Sequence, residues 1–154
     1  MRITILAVGK IKEEWLKDGI SEFSKRISRY CELSIEEIPD VPDSYGIERS
    51  TADEGRRLLS RIKDGDFVVA LDVHGPMVDS VTLSEKLVRW MDAGGARVTF
   101  VIAGSNGYAA EVLSRADERI SLSKLTFPHQ FARLILLEQL FRSFKISRSE
   151  KYHK

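Results

Sequence analysis

Cysteine is almost absent from this sequence, since Cys31 is the only one among 154 residues. A lone cysteine excludes an internal disulfide and any metal site built from several cysteine ligands. The three histidines, His74, His129 and His153, do not have the spacing of metal ligands. We therefore expect no metal centre.

Long hydrophobic runs are absent as well. No stretch approaches the roughly 20 apolar residues that a membrane-spanning helix needs. The chain opens directly with the strand-like residues 3–8, which do not have the pattern of a secretion signal. These absences predict a cytoplasmic protein without a membrane partner.

The common nucleotide-binding motifs are also missing. The chain has no Gly-x-Gly-x-x-Gly fingerprint and no phosphate-binding Gly-Lys-Ser/Thr sequence. No serine lies in a nucleophile-elbow sequence. An ordinary dinucleotide or triphosphate site is therefore not expected.

What remains is an ordinary composition, with 43% hydrophobic and 31% charged residues. A chain of 154 residues is long enough to bury a hydrophobic core and too short for two domains of typical size. Because it contains no repeat, low-complexity tract or linker, we expect one domain that spans residues 1–154.

Strand patterns alternate with helical patterns along the whole chain. Continuous apolar runs such as 67–71 are typical of strands buried on both faces of a parallel sheet. The predicted strands are 3–8, 33–38, 67–71, 98–102 and 119–122. This alternation predicts an α/β fold, with a mostly parallel sheet and helices on both faces.

Capping patterns suggest where two of the helices begin. Ser50 and Thr51 are each followed three residues later by an acid, which predicts a helix start at one of them. Thr82 and Glu85 form the same pattern and predict the start of the next helix. A short helix is expected over residues 108–116.

The final helix is predicted to begin near Pro128 and to run to about Ile146. Its apolar residues occupy more than one face, and they are Phe131, Leu134, Ile135, Leu136, Leu137, Leu140, Phe141 and Phe144. A surface helix needs only one apolar stripe. Either this helix is buried within the chain, or one of its faces meets a second copy in a homodimer.

The net charge is only +1, but the charges are unevenly distributed. Residues 36–54 contain seven acids and one base, whereas residues 142–154 contain five bases and one acid. A local basic patch can bind phosphates even on a nearly neutral protein. For Arg142 and Lys145, the alternative is a helix end that its own dipole stabilises.

Three turns follow predicted strands, where the ligands of open parallel sheets bind. They are residues 71–76, 103–107 and 122–127. Small residues in the second turn allow a ligand to approach the backbone closely. Asp72 either contacts a ligand or caps its turn, and His129 is either structural or a weaker candidate for the site.

Tyr152 and His153 are the only adjacent Tyr-His pair, and Lys151 and Lys154 flank them. A terminal tail is often disordered. Alternatively, an aromatic ring beside an imidazole suits stacking on an extruded base while the lysines bind phosphates. The tail therefore suggests contact with nucleic acid.

Five motifs occur in order along the chain: Leu71-Asp72-x-x-Gly75, Phe100-Val101-Ile102-x-Gly104-x-x-Gly107, residues 122–129, Glu138-Gln139-x-x-Arg142-x-Phe144-Lys145-Ile146 and Tyr152-His153. Together they resemble the small single-domain branch of the SPOUT methyltransferases. The opening residues 5–10 fit too, so the resemblance covers essentially the whole chain. The third turn and the Tyr-His ending are its specific part.

The resemblance implies a homodimer with a trefoil knot in its C-terminal backbone and S-adenosylmethionine as methyl donor. It also implies methylation of N3 of a pseudouridine in large-subunit (23S) ribosomal RNA. Carried over residue by residue, the donor site is Leu71, Ala103, Gly104, Leu122, Ser123, Lys124, Leu125, Thr126 and Phe127. Ala103 departs from the family, which usually has a second glycine there, and its methyl group either narrows the pocket or alters the backbone.

For the chemistry we hypothesise a direct in-line transfer, in which the protein mainly positions the reactants and stabilises charge. His153 would accept the ring proton or orient a water, Tyr152 would stack on the base, and Arg142 would anchor a phosphate or carbonyl. So small a tail is insufficient to select one nucleotide among thousands, which favours recognition of a folded ribosomal particle.

Two other functions remain open. A non-catalytic RNA-binding module of this fold predicts tail-dependent RNA binding without affinity for the donor. A different small-molecule enzyme on a flavodoxin-like sheet predicts ligand binding that depends neither on RNA nor on the tail.

Overall fold

The five strands of this computed structural model run parallel in one sheet, and the structure describes residues 1–154. The spatial order is β2-β1-β4-β3-β5. The strands are β1 (Arg2–Val8), β2 (Glu32–Ile38), β3 (Phe67–Leu71), β4 (Arg97–Ile102) and β5 (Glu118–Ile120). The predicted parallel sheet is confirmed, and each predicted strand is present within two residues of its expected bounds.

Helices cover both faces of the sheet, as expected. They are α1 (Glu14–Ile27), α2 (Ile47–Arg61), α3 (Ser80–Ala93), α4 (Ala110–Arg115) and α5 (His129–Ser147), with a short 3-10 helix at Asp43–Tyr45. Alternate side chains of β1 explain the two layers, because Ile3, Ile5 and Ala7 join the core under α1, α3 and α5. Leu6 and Val8 point the other way and pack in a smaller core with residues of α2 and α4.

The two helix starts predicted from capping patterns are wrong. Helix α2 begins at Ile47, and the Ser50 hydroxyl instead donates 2.8 Å to the Pro42 carbonyl oxygen. Helix α3 begins at Ser80, because the Asp79 carboxylate accepts the Thr82 N–H at 2.7 Å and caps the helix. Serine and threonine can bond to preceding carbonyls inside a helix, so their spacing to an acid does not by itself define a cap.

Two shorter elements also differ from their predicted ranges. Helix α4 occupies only Ala110–Arg115 of the predicted 108–116. Strand β5 ends at Ile120, and only Ser121 extends it, through an isolated bridge with Met77. The chain therefore leaves the sheet before residue 122, and residues 122–127 form a loop.

Helix α5 packs against both α1 and α3, and seven of its 19 residues are buried. Pro128 precedes its first residue, as predicted. Leu136, Leu137 and Leu140 are fully buried. Much of the apolar surface of α5 is therefore covered by other parts of the same chain. Phe131 remains 37% exposed near the start of the helix.

The two tryptophans lie in opposite surroundings. Trp90 of α3 is 2% exposed in the main core, whereas Trp15 of α1 is 60% exposed. The Trp15 ring lies 6.1 Å from that of Phe131, so an aromatic patch faces outward beside the start of α5. No helix combines the length and the apolar character required to cross a bilayer. The C-terminal knot implied by the resemblance stays a prediction.

Candidate active site

Three neighbouring strands end side by side at the carboxyl edge of the sheet. Leu71 of β3 pairs in register with Ile102 of β4 and with Ile120 of β5. The turns that follow these strands therefore start next to one another. This places Leu71, Ala103 and the loop of residues 122–127 at one edge, as the sequence predicted for a ligand site.

Tyr108 links the first two strand ends. Its hydroxyl lies 2.6 Å from the carbonyl oxygen of Leu71 and 2.6 Å from that of Val101. Burial raises the pKa of the Tyr108 phenol well above its usual range, which keeps the proton available for donation. Sequence reasoning missed this residue, and an aromatic hydroxyl directly after the glycine turn was its only signal.

The loop of residues 122–127 has unused backbone hydrogen-bonding groups. Within it, only the Leu125 N–H donates to a protein acceptor, the Ser123 hydroxyl oxygen at 3.0 Å. The Ser121 hydroxyl donates to the Ser123 carbonyl at 2.7 Å and braces the bend. The remaining N–H groups are free to bind a ligand, and the half-buried side chains of Leu71 and Leu122 offer apolar surface beside them.

Gly104 of the second turn packs closely against Glu54 of α2 and Val8 of β1. A Cβ atom at this position would lie 3.0 Å from Glu54 Oε2 and 3.2 Å from Val8 Cγ1. Glu54 is buried and accepts the Val41 N–H at 3.3 Å. Burial raises the pKa of its carboxyl group. The side chain that packs against the second turn can therefore change its charge with pH.

Asp72 acts as a cap in this structure. Its Oδ1 accepts the His74 N–H at 3.0 Å, which closes the turn after β3. Its other oxygen pairs with Arg119 Nη1 at 3.3 Å. Of the two interpretations of Asp72, the structural one is supported.

His129 is the first residue of α5, directly after the third turn, and packs on the backbone after β1. A Cβ atom at Gly9, whose φ is +90°, would lie 2.8 Å from His129 Nε2. Burial lowers the pKa of His129, and the nearby Arg133 charge lowers it further. Arg133 is 1% exposed and binds Glu37 Oε2 and the Gly9 carbonyl, each at 3.1 Å. This cluster favours the structural interpretation of His129.

The three predicted catalytic residues meet at the C-terminal tail. Arg142 Nη1 lies 3.2 Å from His153 Nδ1, and the Arg142 guanidinium lies 4.8 Å from the centre of the Tyr152 ring. The tail packs on α5, since the Tyr152 hydroxyl donates to Glu138 Oε1 and the Tyr152 ring meets Phe141. The structure therefore brings all three residues together.

Glu138 holds this group in place and was not among the predicted site residues. Its Oε1 binds Arg142 Nη2 and accepts the Tyr152 hydroxyl at 3.1 Å. The hydrogen bond with Glu138 raises the pKa of Arg142, which keeps the guanidinium charged. The spacing of four residues between Glu138 and Arg142 on a helix was the signal that could have identified the pair.

The contact with Arg142 determines the proton position on His153. Guanidinium groups only donate, so His153 Nδ1 must accept and the neutral ring then bears its proton on Nε2. Nε2 is therefore suited to donate a hydrogen bond to an incoming ligand. The arrangement favours a donor role over the predicted role of proton acceptor.

Tyr152 is packed within its own chain. The edge of its ring meets Phe141 at 4.9 Å between centres, and Arg142 lies over the ring. Burial, together with the Glu138 carboxylate, raises the pKa of its phenol. These contacts allow Tyr152 to hold Arg142 in position. The predicted stacking of Tyr152 on a base stays a prediction.

Helix α5 lies beside the start of α3, which follows the first turn. The Ser80 hydroxyl at the start of α3 donates 2.7 Å to Gln139 Oε1 on α5. The Thr82 N–H lowers the pKa of Asp79 and caps the start of α3. No group of three or more His, Cys, Asp or Glu side chains has a geometry that could hold a metal ion.

Comparisons with known proteins match the chain from end to end. A family model described as "Predicted SPOUT methyltransferase" matches residues 1–153. "Ribosomal RNA large subunit methyltransferase H" of Acetivibrio thermocellus is 51% identical over 159 residues, with 100% of both chains covered. Proteins of the same name from Ruminiclostridium cellulolyticum and Pelotomaculum thermopropionicum are 46% and 47% identical, with 100% and 98% of both chains covered.

Proposed function

The chain belongs to the SPOUT methyltransferase family, and we propose that it transfers a methyl group from S-adenosylmethionine to N3 of a pseudouridine in large-subunit (23S) ribosomal RNA. Methyl transfer follows from the family match over residues 1–153. Relatives named as large-subunit ribosomal RNA methyltransferases are about half identical to the chain over its full length. This observation supports ribosomal RNA as the substrate. The donor and the target atom are the finer parts of the proposal.

The three turns suit S-adenosylmethionine as donor. An adenosine group needs apolar surface for its ring and hydrogen-bonding groups for its edge. Leu71, Ala103 and Leu122 offer the first, and the unpaired backbone groups of residues 122–127 offer the second. We propose these turns, including Gly104, Ser123, Lys124, Leu125, Thr126 and Phe127, as the donor site.

In the proposed reaction, the N3 lone pair forms a bond to the methyl carbon as the carbon–sulfur bond breaks. When bound, S-adenosylmethionine supplies an electrophilic methyl group, and the electron pair of the broken bond stays on sulfur. In this proposal the positive charge of Arg142 stabilises the anion that develops on the ring as the N3 proton leaves to water. His153 Nε2–H could donate a hydrogen bond to a ring carbonyl in the same step.

Arg142 can act in this way because its position is fixed before substrate arrives. Glu138 binds it from one side, and the Tyr152 ring supports its flat face. A preorganised cation does not need to reorient as charge develops. In this scheme Glu138 and Tyr152 are positioning residues, and Arg142 and His153 are the catalytic residues.

We further propose a homodimer whose contact includes Trp15 and Phe131. Both rings are exposed, and Phe127 of the third turn lies 6.4 Å from Phe131. The aromatic patch is therefore continuous with the proposed donor site. A Trp15→Glu variant should sediment as a monomer, whereas Val88→Glu, an exposed apolar position on α3, should sediment as wild type. A dimer that persists in Trp15→Glu would contradict this contact.

One experiment tests both the donor and the substrate. Purified protein is incubated with radiolabelled S-adenosylmethionine and either stripped 23S RNA or intact ribosomes that lack the modification. Label should appear at N3 of one pseudouridine, and we expect intact particles to be the better substrate. Calorimetric titration with the donor and with its demethylated product accompanies the assay. Absence of heat with both ligands would refute the donor site.

The same measurements separate the two rival functions. A non-catalytic RNA-binding module would bind RNA through its tail and show no heat with the donor. A small-molecule enzyme on this sheet would bind a ligand with no effect of RNA or of deleting residues 149–154. The proposal requires donor binding and RNA-dependent methyl transfer together.

A further inference from the structure

A basic groove lies between the end of α1 and the end of α5, outside the proposed donor site. It has a volume of about 390 Å³. Its charged lining consists of five bases and one acid, namely Lys25, Arg26, Arg29, Lys145, Lys151 and Glu22. Two helices and the tail thus contribute cations to one concave surface.

Several of these cations have no acidic partner. Arg26 pairs with Glu22 at 2.9 Å, and Lys145 pairs with Glu150 at 2.6 Å. Lys25, Arg29 and Lys151 form no salt bridge within 4.0 Å. The groove therefore keeps an uncompensated positive charge for a ligand to neutralise.

The aromatic rings beside the groove already contact other side chains of the protein. Tyr30 stacks on Phe144 with ring centres 5.1 Å apart, and the Arg148 guanidinium lies 4.8 Å from the Tyr30 centre. Lys145 lies 5.4 Å from the centre of Phe141. Because these rings already hold cations, the groove is better suited to phosphates than to stacked bases.

We propose that this groove binds the phosphodiester backbone of the substrate RNA next to the target nucleotide. Tyr152 and Lys151 line the groove, so it is continuous with the tail that presents His153. The inference rests on the proposed function, because it assigns the RNA path of the same enzyme. It predicts contacts that depend on salt and not on base sequence.

A helix dipole alone does not explain this arrangement. Lysine and arginine near the end of α1 are favourable on any exposed helix. That explanation predicts a loss of stability when they are removed and no change in RNA affinity. Convergence of Lys25 and Arg29 with Lys151 from the tail requires a different explanation.

The test compares two double variants that each remove two positive charges. Lys25→Ala with Arg29→Ala alters the groove, and Arg61→Ala with Lys63→Ala alters exposed bases beyond it, at the end of α2. Binding of stripped 23S RNA is measured by filter binding from 50 to 200 mM salt, together with Tm, donor Kd and methyl transfer. Lys151→Ala reaches the groove from the tail as a separate variant.

We expect the groove variant to keep the wild-type Tm and donor Kd. Its RNA Kd should rise on the order of tenfold at low salt, and the slope of log K against log salt should fall by about 0.7 to 0.9 per lost phosphate contact. The control pair should stay close to wild type. Lys151→Ala should show a smaller loss of the same kind.

Three results would overturn the inference. The groove variant could bind stripped RNA with wild-type affinity and slope, or both double variants could weaken it equally. Unchanged binding to stripped RNA with weakened binding to intact ribosomes, measured in parallel, would contradict a contact with the RNA backbone alone. Wild-type protein that transfers no methyl group would refute the proposed function, whereas the binding comparison would still decide the groove.

Discussion

Arg142 Nη1 lies 3.2 Å from His153 Nδ1, so a residue of α5 fixes the proton position on a residue of the tail. Nδ1 accepts the hydrogen bond from Arg142, and the neutral imidazole can donate through Nε2. Of the two predicted roles of His153, this relationship disfavours proton acceptance and is compatible with orienting a water through Nε2–H.

Replacing His153 with alanine should lower kcat by about 100-fold, because one donor to the developing charge is lost. The donor Kd should not change, since the tail is outside the proposed donor site. His153→Gln offers an amide N–H near the position of Nε2 and should recover part of the rate. Single-turnover methyl transfer and calorimetry measure the two quantities. Equal turnover in wild type and His153→Ala would remove the residue from the mechanism.

Glu138→Gln should lower kcat by between about 10- and 100-fold, because Arg142 loses the carboxylate that orients it. KM for RNA should change less than kcat. The informative measurement is a double-mutant cycle with Arg142→Ala. If Glu138 acts through Arg142, the double variant should be no slower than Arg142→Ala alone. Additive losses would mean that Glu138 has an independent role.

Tyr108→Phe should destabilise the fold by about 1 kcal/mol, because the strand-end carbonyls of Leu71 and Val101 lose a buried donor. It should also weaken donor binding, since the first two turns are no longer tied together. Urea unfolding and calorimetry measure these effects. Tyr45→Phe, which alters an exposed phenol, is the matched control. Wild-type donor affinity in Tyr108→Phe would contradict the link to the donor site.

Glu54 should make stability depend on pH. Burial raises its pKa in the folded state, so folding favours the protonated form. Its contribution is fully present below the ordinary carboxyl pKa of about 4.3 and is lost as pH rises through the raised folded value. Glu54→Gln should therefore be more stable than wild type at pH 7, with a difference that shrinks towards pH 4.

Urea midpoints between pH 4 and pH 8 measure this dependence. Glu48→Gln removes an exposed acid from the same helix and is the matched control for the change in charge. A constant difference between Glu54→Gln and wild type across this range would show that the carboxyl group of Glu54 is not the cause.

Strands β3 and β4 could be predicted because their apolar runs are buried on both faces. Residues 67–71 were expected as a strand, and the observed β3 has these bounds. Cap positions could not be predicted, because the Ser50 hydroxyl bonds a carbonyl that only the fold brings near. Strand order was also inaccessible, since a parallel sheet of this composition permits several orders.

The site shows a similar division. The motifs named Arg142, Tyr152 and His153, and the structure brings these side chains together because they lie close in sequence at the end of α5. Tyr108 was missed because its hydroxyl bonds the ends of two strands that are far apart in the sequence. Long-range hydrogen bonds of this kind leave almost no local sequence pattern.

The opposite surroundings of Trp15 and Trp90 give the molecule two intrinsic optical reporters. Indole emission shifts to shorter wavelength when water is excluded from the ring. A second protomer that covers Trp15 should produce such a shift on concentrating the protein, while Trp90 stays silent. Denaturant should expose Trp90 instead and move the spectrum the opposite way, so assembly and unfolding can be followed in one unlabelled sample.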